Sequence, residues 1–242
     1  MSSAGPGGAR IPPGQPIPRP VAPILFYIRN SACFLVLAAK PENPAEAPAI
    51  QFWNRPFFSL SFDFENLLRM DTIPLFGPYA LRKLRAEDAA DIFRSIDTQR
   101  PYLGRWLPFV AETHCVEQSE AVVAGMLADT ANPVYTIRDG GAFAGLIGFK
   151  SADAGKRSVE IGYWLREEQQ GKGIMTAAVR ALCETAFAQM GMRRVEIRCG
   201  AGNLPSNAIP RRLGFRLSHV EPRGEELSDG EWIDLNVYVS ER

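Results

Sequence analysis

The pattern of apolar and polar positions divides the chain from about residue 79 onward into alternating strands and helices. Alternating or continuous apolar runs predict strands at 79–84, 134–138, 143–149, 158–165, 195–199, 215–220 and 232–240. Apolar residues at helical spacing predict helices over 87–96 and 176–190, another capped by Thr113 and running to about 128, and a short one near 206–213. This order is typical of an α/β (α+β) fold with a mixed sheet of six or seven strands flanked by helices.

The first 70 residues have a different character. They contain eleven of the nineteen prolines, and their apolar clusters show no consistent period. Proline at this density opposes regular helices and the interior of sheets. Two interpretations remain open: residues 1–70 are a disordered extension of a domain at 71–242, or Met70 is the natural start of the protein.

Composition excludes several classes of function. The chain has 27 basic and 27 acidic residues, so it lacks the basic surplus of a dedicated nucleic-acid binder. Four cysteines without a Cys-x-x-Cys pair, together with two histidines, provide no metal-ligand spacing. Such cysteines are typical of small core residues and of a reducing, cytoplasmic location. The apolar stretch 21–39 is interrupted by Pro23 and Arg29, so we expect no membrane span.

The most informative segment is 170–176, which lies between a predicted apolar strand and the predicted helix at 176–190. Gly171 and Gly173 at the mouth of a helix allow consecutive backbone N–H groups to point at one spot. The helix dipole adds positive potential there, which suits a phosphate or pyrophosphate. The segment therefore predicts a site for a nucleotide-like cofactor.

Two common phosphate loops do not fit this segment. A Walker A loop would need glycine where Arg166 stands and Ser or Thr after Lys172, where Gly173 stands. A dinucleotide-binding loop would need a third glycine in place of Thr176 and an acidic residue after the next strand, which ends at Arg198.

The segment instead resembles the acetyl-CoA loop of the GCN5-related N-acetyltransferases (GNAT), Gln/Arg-x-x-Gly-x-Gly/Ala. Gln170 and Gly173 match the loop, and Met175 replaces its small last residue. Downstream, residues 203–215 resemble the Asn-x-x-Ser...Leu-Gly-Phe segment of the same superfamily. The 160–165 strand and the 206–210 run resemble the RimJ/RimL branch, which acetylates ribosomal proteins. The resemblance covers roughly 79–242 and implies the GNAT fold, acetyl-CoA as the acetyl donor and transfer to an amine.

The resemblance also implies which residues bind the cofactor. The strand backbone should pair with the pantetheine arm, and the loop should bind the phosphates. Asn203 is expected to contact the arm, and the Ser206 hydroxyl is expected to protonate the departing thiolate, although both residues are also good local helix caps. The expected cofactor-binding residues are Tyr163, Trp164, Leu165, Gln170, Gly171, Lys172, Gly173, Ile174, Met175, Thr176, Asn203 and Ser206.

Two carboxylates are candidates for the base that accepts the amine proton. Glu226 aligns with the position at which RimL-type enzymes place a glutamate that acts through water, and Glu160 at the start of the 160–165 strand is the alternative. The neighbouring Glu225 and Asp229 leave the register of this loop open.

The resemblance is less specific about the acceptor. Arg100, Tyr102 and Trp106 lie where the branch forms its acceptor wall, and Asp234 and Tyr238 on the last strand could line the same cleft. The expected acceptor is the α-amino group of a protein N-terminus, such as that of a ribosomal protein. Alternatives are a small amine (an aminoglycoside or polyamine) and a non-catalytic acyl-CoA-binding module. A homodimer is compatible with the sequence.

Overall fold

The computed structural model describes residues 71–242, so the predicted extension at 1–70 lies outside the described residues. One eight-stranded sheet has the order β1-β2-β3-β4-β5-β6-β8-β7. Its strands are β1 (Thr72–Phe76), β2 (Tyr79–Lys83), β3 (Val134–Asp139), β4 (Ala142–Asp153), β5 (Ser158–Leu165), β6 (Arg194–Gly200), β7 (Arg216–Glu226) and β8 (Trp232–Glu241).

The helices fall into two groups along the chain. The first group connects β2 to β3, and each remaining helix connects one strand to the next. The helices are α1 (Ala89–Thr98), α2 (Arg100–Leu103), α3 (Phe109–Glu112), α4 (Val116–Ala128), α5 (Ile174–Ala188) and α6 (Leu204–Arg212). The predicted α/β (α+β) class with a mixed sheet flanked by helices is confirmed.

The sheet has one strand more than the highest predicted number. This strand, β1, pairs antiparallel with β2 at the edge of the sheet. It is only five residues long and contains Pro74. A proline inside a short segment argues against a central strand, but an edge strand tolerates it because one side has no ladder partner. Hydrophobic periodicity therefore has too little signal to find β1.

The predicted start of α4 needs a correction. Thr113 does not cap this helix, because its hydroxyl donates a hydrogen bond of 2.8 Å to the carbonyl of Phe109 at the end of α3. The helix begins after Cys115, and the side-chain oxygen of Gln118 accepts hydrogen bonds from the backbone N–H groups of His114 and Cys115. A glutamine at this position satisfies N–H groups that the first turn leaves unpaired.

Two apolar clusters cover the two faces of the sheet. Successive residues of a strand point to opposite faces, and β5 follows this rule: Ile161 belongs to the cluster under α5, and Trp164 belongs to the cluster under α1 and α4. Cys183 and Cys199 are buried in the first cluster, as expected of small core residues. Cys33 lies outside the described residues.

A buried ion-pair network fixes α1 against the sheet. The Asp88 carboxylate, 1% exposed, accepts hydrogen bonds from the guanidinium groups of Arg82 on β2 and Arg138 on β3. Arg138 also donates to Asp91 on α1 over 3.1 Å. Since a buried carboxylate needs paired partners, this network specifies where α1 lies. The C-terminal end of α1 is thereby held close to the segment at 167–170.

A chain shortened to begin at Met70 is expected to keep the melting temperature and the CoA affinity of the full chain. Residues 1–69 are rich in proline, and their apolar clusters show no consistent period. Residues 1–69 should therefore add little to the folded core. Thermal unfolding and calorimetric titration with CoA would check this. A large loss in either quantity would show that residues 1–69 pack against the domain.

Candidate active site

The site begins where two parallel strands separate. β5 and β6 pair only from Ser158 to Glu160, although β5 continues to Leu165 and β6 to Gly200. The other edge of β5 remains paired with β4 as far as Leu165. Beyond Glu160, the edge of β5 that faces β6 therefore has backbone groups without a ladder partner in β6. An extended, amide-containing ligand can bind such an edge as an added strand does.

A cleft of about 760 Å³ lies along this gap. It is lined by eleven of the twelve residues that the sequence predicts to bind the cofactor. The exception is Lys172, whose ammonium group donates to the side-chain oxygen of Gln169 over 2.8 Å. The structure thus brings the strand, the loop and the Asn203–Ser206 segment to one surface.

The glycine loop has the backbone geometry of an anion site. Gly171 and Gly173 have φ angles of 72° and 80°, in the left-handed region that favours glycine. Gly173 precedes α5 and provides no side-chain cap, so the first N–H groups of the helix remain available to a ligand. No atom lies within 4 Å of a Cβ placed at either glycine, so the space in front of the loop is open. Met175, which departs from the family motif, is 6% exposed and packs in the core.

Tyr102 belongs to the cofactor cleft rather than to a separate acceptor wall. Its hydroxyl donates to the carbonyl of Leu165 over 3.3 Å and accepts from the side-chain amide of Gln170. Burial raises the pKa of Tyr102, so the phenol remains a neutral donor. Gln99 at the end of α1 supports the same loop by donating to the Glu168 carboxylate over 2.6 Å.

The structure separates two roles within the Asn203–Ser206 segment. Asn203 caps α6, because its side-chain oxygen accepts the Ser206 N–H over 3.2 Å. The Ser206 hydroxyl does not cap the helix. It lies 3.2 Å from the sulfur of Cys199 and 3.3 Å from the hydroxyl of Tyr163, which itself donates to the Ser206 carbonyl. Burial raises the pKa of both Tyr163 and Cys199, so both side chains remain protonated.

A second cavity of about 130 Å³ adjoins the cleft. The two spaces adjoin at a junction formed by the residues that line both of them: Trp106, Leu107, Tyr163, Asn203 and Ser206. The smaller cavity contains the charged groups of Lys150, Glu160, Arg198 and Glu225. A reactant held in each space would meet the other at this junction.

Glu225, not Glu226, lines the smaller cavity. In β7 the two residues pair with Ile233 and Trp232 of β8, and successive strand residues face opposite sides. Burial raises the pKa of the Glu225 carboxyl, the nearby Glu160 raises it further, and Lys150 and Arg198 oppose this shift. Glu160 lines the same cavity and forms an ion pair of 3.4 Å with Lys150.

Trp106 forms the wall between the two spaces. If Gly200 or Gly202 carried a side chain, its Cβ atom would lie 3.4 Å from the indole ring of Trp106. These glycines therefore leave room for the indole beside β6. Of the predicted acceptor residues, Trp106 is the one that lines the smaller cavity.

Three other predicted acceptor residues lie outside both cavities. Arg100 donates to the carbonyls of Val110 and Thr113 and holds the short helices together. Tyr238 is 1% exposed and donates to Asn207, because its position on β8 faces the core. The Asp234 carboxylate accepts the N–H of Arg223 at the β7–β8 ladder.

Several cleft residues were not predicted from the sequence. Arg180 follows Thr176 by four positions on α5, which is one helical turn, so the helix period could have indicated it. Arg212, Cys199 and Glu225 reach the site only through the packing of α6, β6 and β7.

Two kinds of site are absent from the part of the chain that the structure describes. Residues 71–242 contain no group of three or more His, Cys, Asp or Glu side chains that could hold a metal ion. No helix formed by these residues is long and apolar enough to cross a membrane.

Comparison with known proteins identifies acetyltransferases as relatives. Residues 79–216 match the family described as acetyltransferase (GNAT) domain. The putative ribosomal N-acetyltransferase YdaF of Bacillus subtilis is 33% identical over 162 residues, which are 65% of this chain and 88% of that protein. The ribosomal-protein-serine acetyltransferase of Escherichia coli is 39% identical over 96 residues, which are 39% of this chain and 52% of that protein.

Solved structures agree with these sequence matches. RimL, a ribosomal L7/L12 α-N-protein acetyltransferase in complex with coenzyme A, has a TM-score of 0.66 and 28% identity, and the match covers 70% of this chain and 97% of that one. The microcin C7 self-immunity acetyltransferase MccE, in complex with acetyl-CoA and AMP, has a TM-score of 0.67 and 25% identity, with coverages of 72% and 97%.

Proposed function

Because the chain belongs to the GNAT acetyltransferases and its relatives include the RimJ/RimL type, we propose that it acetylates the α-amino group of a protein N-terminus of ribosomal type. The enzyme class and the use of acetyl-CoA follow from the family and its CoA-bound relatives. The observation that carries the acceptor proposal is the junction at Ser206, where the cofactor cleft meets a small cavity that contains two carboxylates.

The cleft positions acetyl-CoA for reaction at this junction. The glycine loop binds the pyrophosphate, and the free edge of β5 pairs with the amides of the pantetheine arm. The arm then runs toward Tyr163 and Ser206, so the thioester lies next to the smaller cavity. A backbone N–H of β5 beyond Glu160 stabilises the oxygen that gains negative charge when the amine attacks.

Glu225 is the base that best fits the geometry. It lines the acceptor cavity, and the raised pKa of its buried carboxyl makes it a better proton acceptor than an exposed glutamate. An ammonium group that enters the cavity loses its proton to Glu225, directly or through water, and the neutral amine attacks the thioester carbonyl. Glu160 takes part by raising the pKa of Glu225.

The departing thiolate needs a proton, and Ser206 is the proposed donor, which regains a proton from the nitrogen as it becomes an amide. Its hydroxyl lies at the junction, where it contacts both Cys199 and Tyr163. Tyr163 is the less suitable acid because burial raises its pKa well above the usual value. The Tyr163 hydroxyl instead orients Ser206 by accepting its hydrogen bond and donating to its carbonyl.

The charges of the acceptor cavity favour a single amine over a polycation. Glu160 and Glu225 are balanced by Lys150 and Arg198 in the same lining. A cavity without net negative charge has no strong attraction for a polyamine or an aminoglycoside. The single ammonium group of a peptide N-terminus fits this balance of charges better than a polycation does.

Thiol release with a panel of acceptors would test this function. A peptide with a free N-terminal serine or alanine should release CoA and gain one acetyl group on its α-amine, which mass spectrometry would locate. The matched control is the same peptide with a blocked α-amine and a free lysine, which should not react. Turnover with polyamines or aminoglycosides alone would support the small-amine alternative, and the absence of thiol release with every acceptor would support a non-catalytic binding module.

A further inference from the structure

Within the described part of the chain, two arginines supply the formal charges of the cofactor cleft. Among the residues that line it, Arg180 and Arg212 are charged and no Asp or Glu is present. Within residues 71–242, neither arginine takes part in a salt bridge. Two cations without a carboxylate partner on one concave surface create a positive potential that attracts an anionic ligand.

The two arginines come from different helices and converge beside the glycine loop. Arg180 lies four residues after Thr176 on α5, a rise of about 6 Å along the helix. Arg212, at the end of α6, donates from its guanidinium to the Thr176 hydroxyl over 2.8 Å. Arg212 therefore contacts the first turn of α5, and Arg180 is attached one turn further along the same helix.

CoA carries a second anionic group close to its pyrophosphate. Its pyrophosphate is attached to the 5′ position of the adenosine ribose, and a separate phosphate is attached to the 3′ position of the same ring. We propose that Arg180 and Arg212 bind this 3′-phosphate and make the enzyme select CoA over a cofactor that lacks it. The proposal depends on acetyl-CoA as the donor and is independent of the identity of the acceptor.

Arginine is well suited to this task. A guanidinium presents several N–H donors in a planar fork that matches phosphate oxygens, and it stays charged at all physiological pH values. Both side chains are exposed at the rim of the cleft, so they can reach a group that projects from it. Lys172, the cation that the sequence indicated, bonds to Gln169 and does not line the cleft.

Calorimetric titration with CoA and with 3′-dephospho-CoA would test the proposal. The unmodified protein should bind CoA at least about tenfold more tightly, as expected for charge-assisted hydrogen bonds to a phosphate. In Arg180→Met with Arg212→Met this preference should disappear, because CoA affinity falls and dephospho-CoA affinity stays nearly the same. Arg193→Met is the matched control, since Arg193 is exposed, lines neither cavity and should leave both affinities unchanged.

Binding of dephospho-CoA by the double variant also shows that the variant is folded. Equal affinity of the unmodified protein for the two cofactors would overturn the proposal. So would an equal loss of both affinities in the double variant, because the arginines would then act on the pyrophosphate or through general attraction. Neither result would affect the proposed acetylation of a protein N-terminus, which depends on the acceptor panel.

Discussion

Replacing Glu225 with Gln is expected to slow acetyl transfer by about 10²- to 10⁴-fold, the usual contribution of a general base. The substitution preserves shape and removes basicity, so CoA affinity should hardly change. Single-turnover rates with a peptide acceptor, combined with calorimetric titration with CoA, would measure both quantities. Glu226→Gln is the matched control, because it makes the same change one residue further along β7, outside the lining of the smaller cavity.

The opposite pattern would return the role to Glu226. If Glu226→Gln is slow and Glu225→Gln reacts at the normal rate, the assignment made from the sequence is correct and the cavity lining does not identify the base. A large loss in Glu160→Gln alone would assign the role to Glu160. The variant that loses its acetyl-transfer rate therefore identifies which of the three glutamates is the base.

The pH dependence provides a second test of the same assignment. A base must be deprotonated to act, so the rate should rise with pH as Glu225 loses its proton. Because burial and Glu160 raise the pKa of Glu225, this rise should occur above the usual range of a glutamate. Glu160→Gln removes the neighbouring carboxylate and should move the rise to lower pH. If the rate of Glu160→Gln rises at the same pH as the rate of the unmodified protein, Glu160 does not influence the base.

Replacing both Gly171 and Gly173 with Val is expected to lower CoA affinity at least tenfold, which corresponds to about 1.4 kcal/mol. Both glycines have positive φ angles, which β-branched residues rarely adopt, and the added side chains would enter the open space in front of the loop. The N–H groups could then no longer approach a pyrophosphate. Calorimetric titration with CoA would measure the effect.

Gly77→Val separates loss of the binding site from backbone strain. Gly77 has a φ angle of 51° and open space around it, but it lies in the β1–β2 turn, away from the cleft. This variant should lose stability and keep its CoA affinity. Normal CoA affinity in the double variant at 171 and 173 would remove the loop from the cofactor site.

The sequence and its family resemblance predicted a set of cofactor-binding residues that the structure brings to one cleft. Glycines at the mouth of a helix, after an apolar strand, limit the backbone to a geometry that exposes N–H groups. These constraints are local, and the resemblance to a known family added the strand and the Asn203–Ser206 segment. Eleven of the twelve residues named in this way line the cleft. Lys172 is the exception because the direction of an exposed lysine depends on its neighbours, here Gln169.

The acceptor half depended on contacts between residues far apart in the chain. Glu225 and Glu226 are equivalent in composition and context, and only the pairing of β7 with β8 decides which one faces the cavity. The same alternation turns Tyr238 into the core and leaves Asp234 bonded to Arg223. A one-residue shift in register exchanges the two faces of a strand, and no local pattern in the loop at 223–230 specifies that register.

Local chain properties therefore indicated the fold class and a phosphate loop, and the resemblance to a known family indicated the cofactor. The tertiary structure decided which carboxylates line the smaller cavity, where Trp106 lies, and that Arg212 joins Arg180 on the lining of the cleft. The physical reason is the range of the interactions. Backbone conformation and hydrophobic periodicity are properties of neighbouring residues, whereas a side chain reaches a shared cavity only after strands and helices from distant segments have packed.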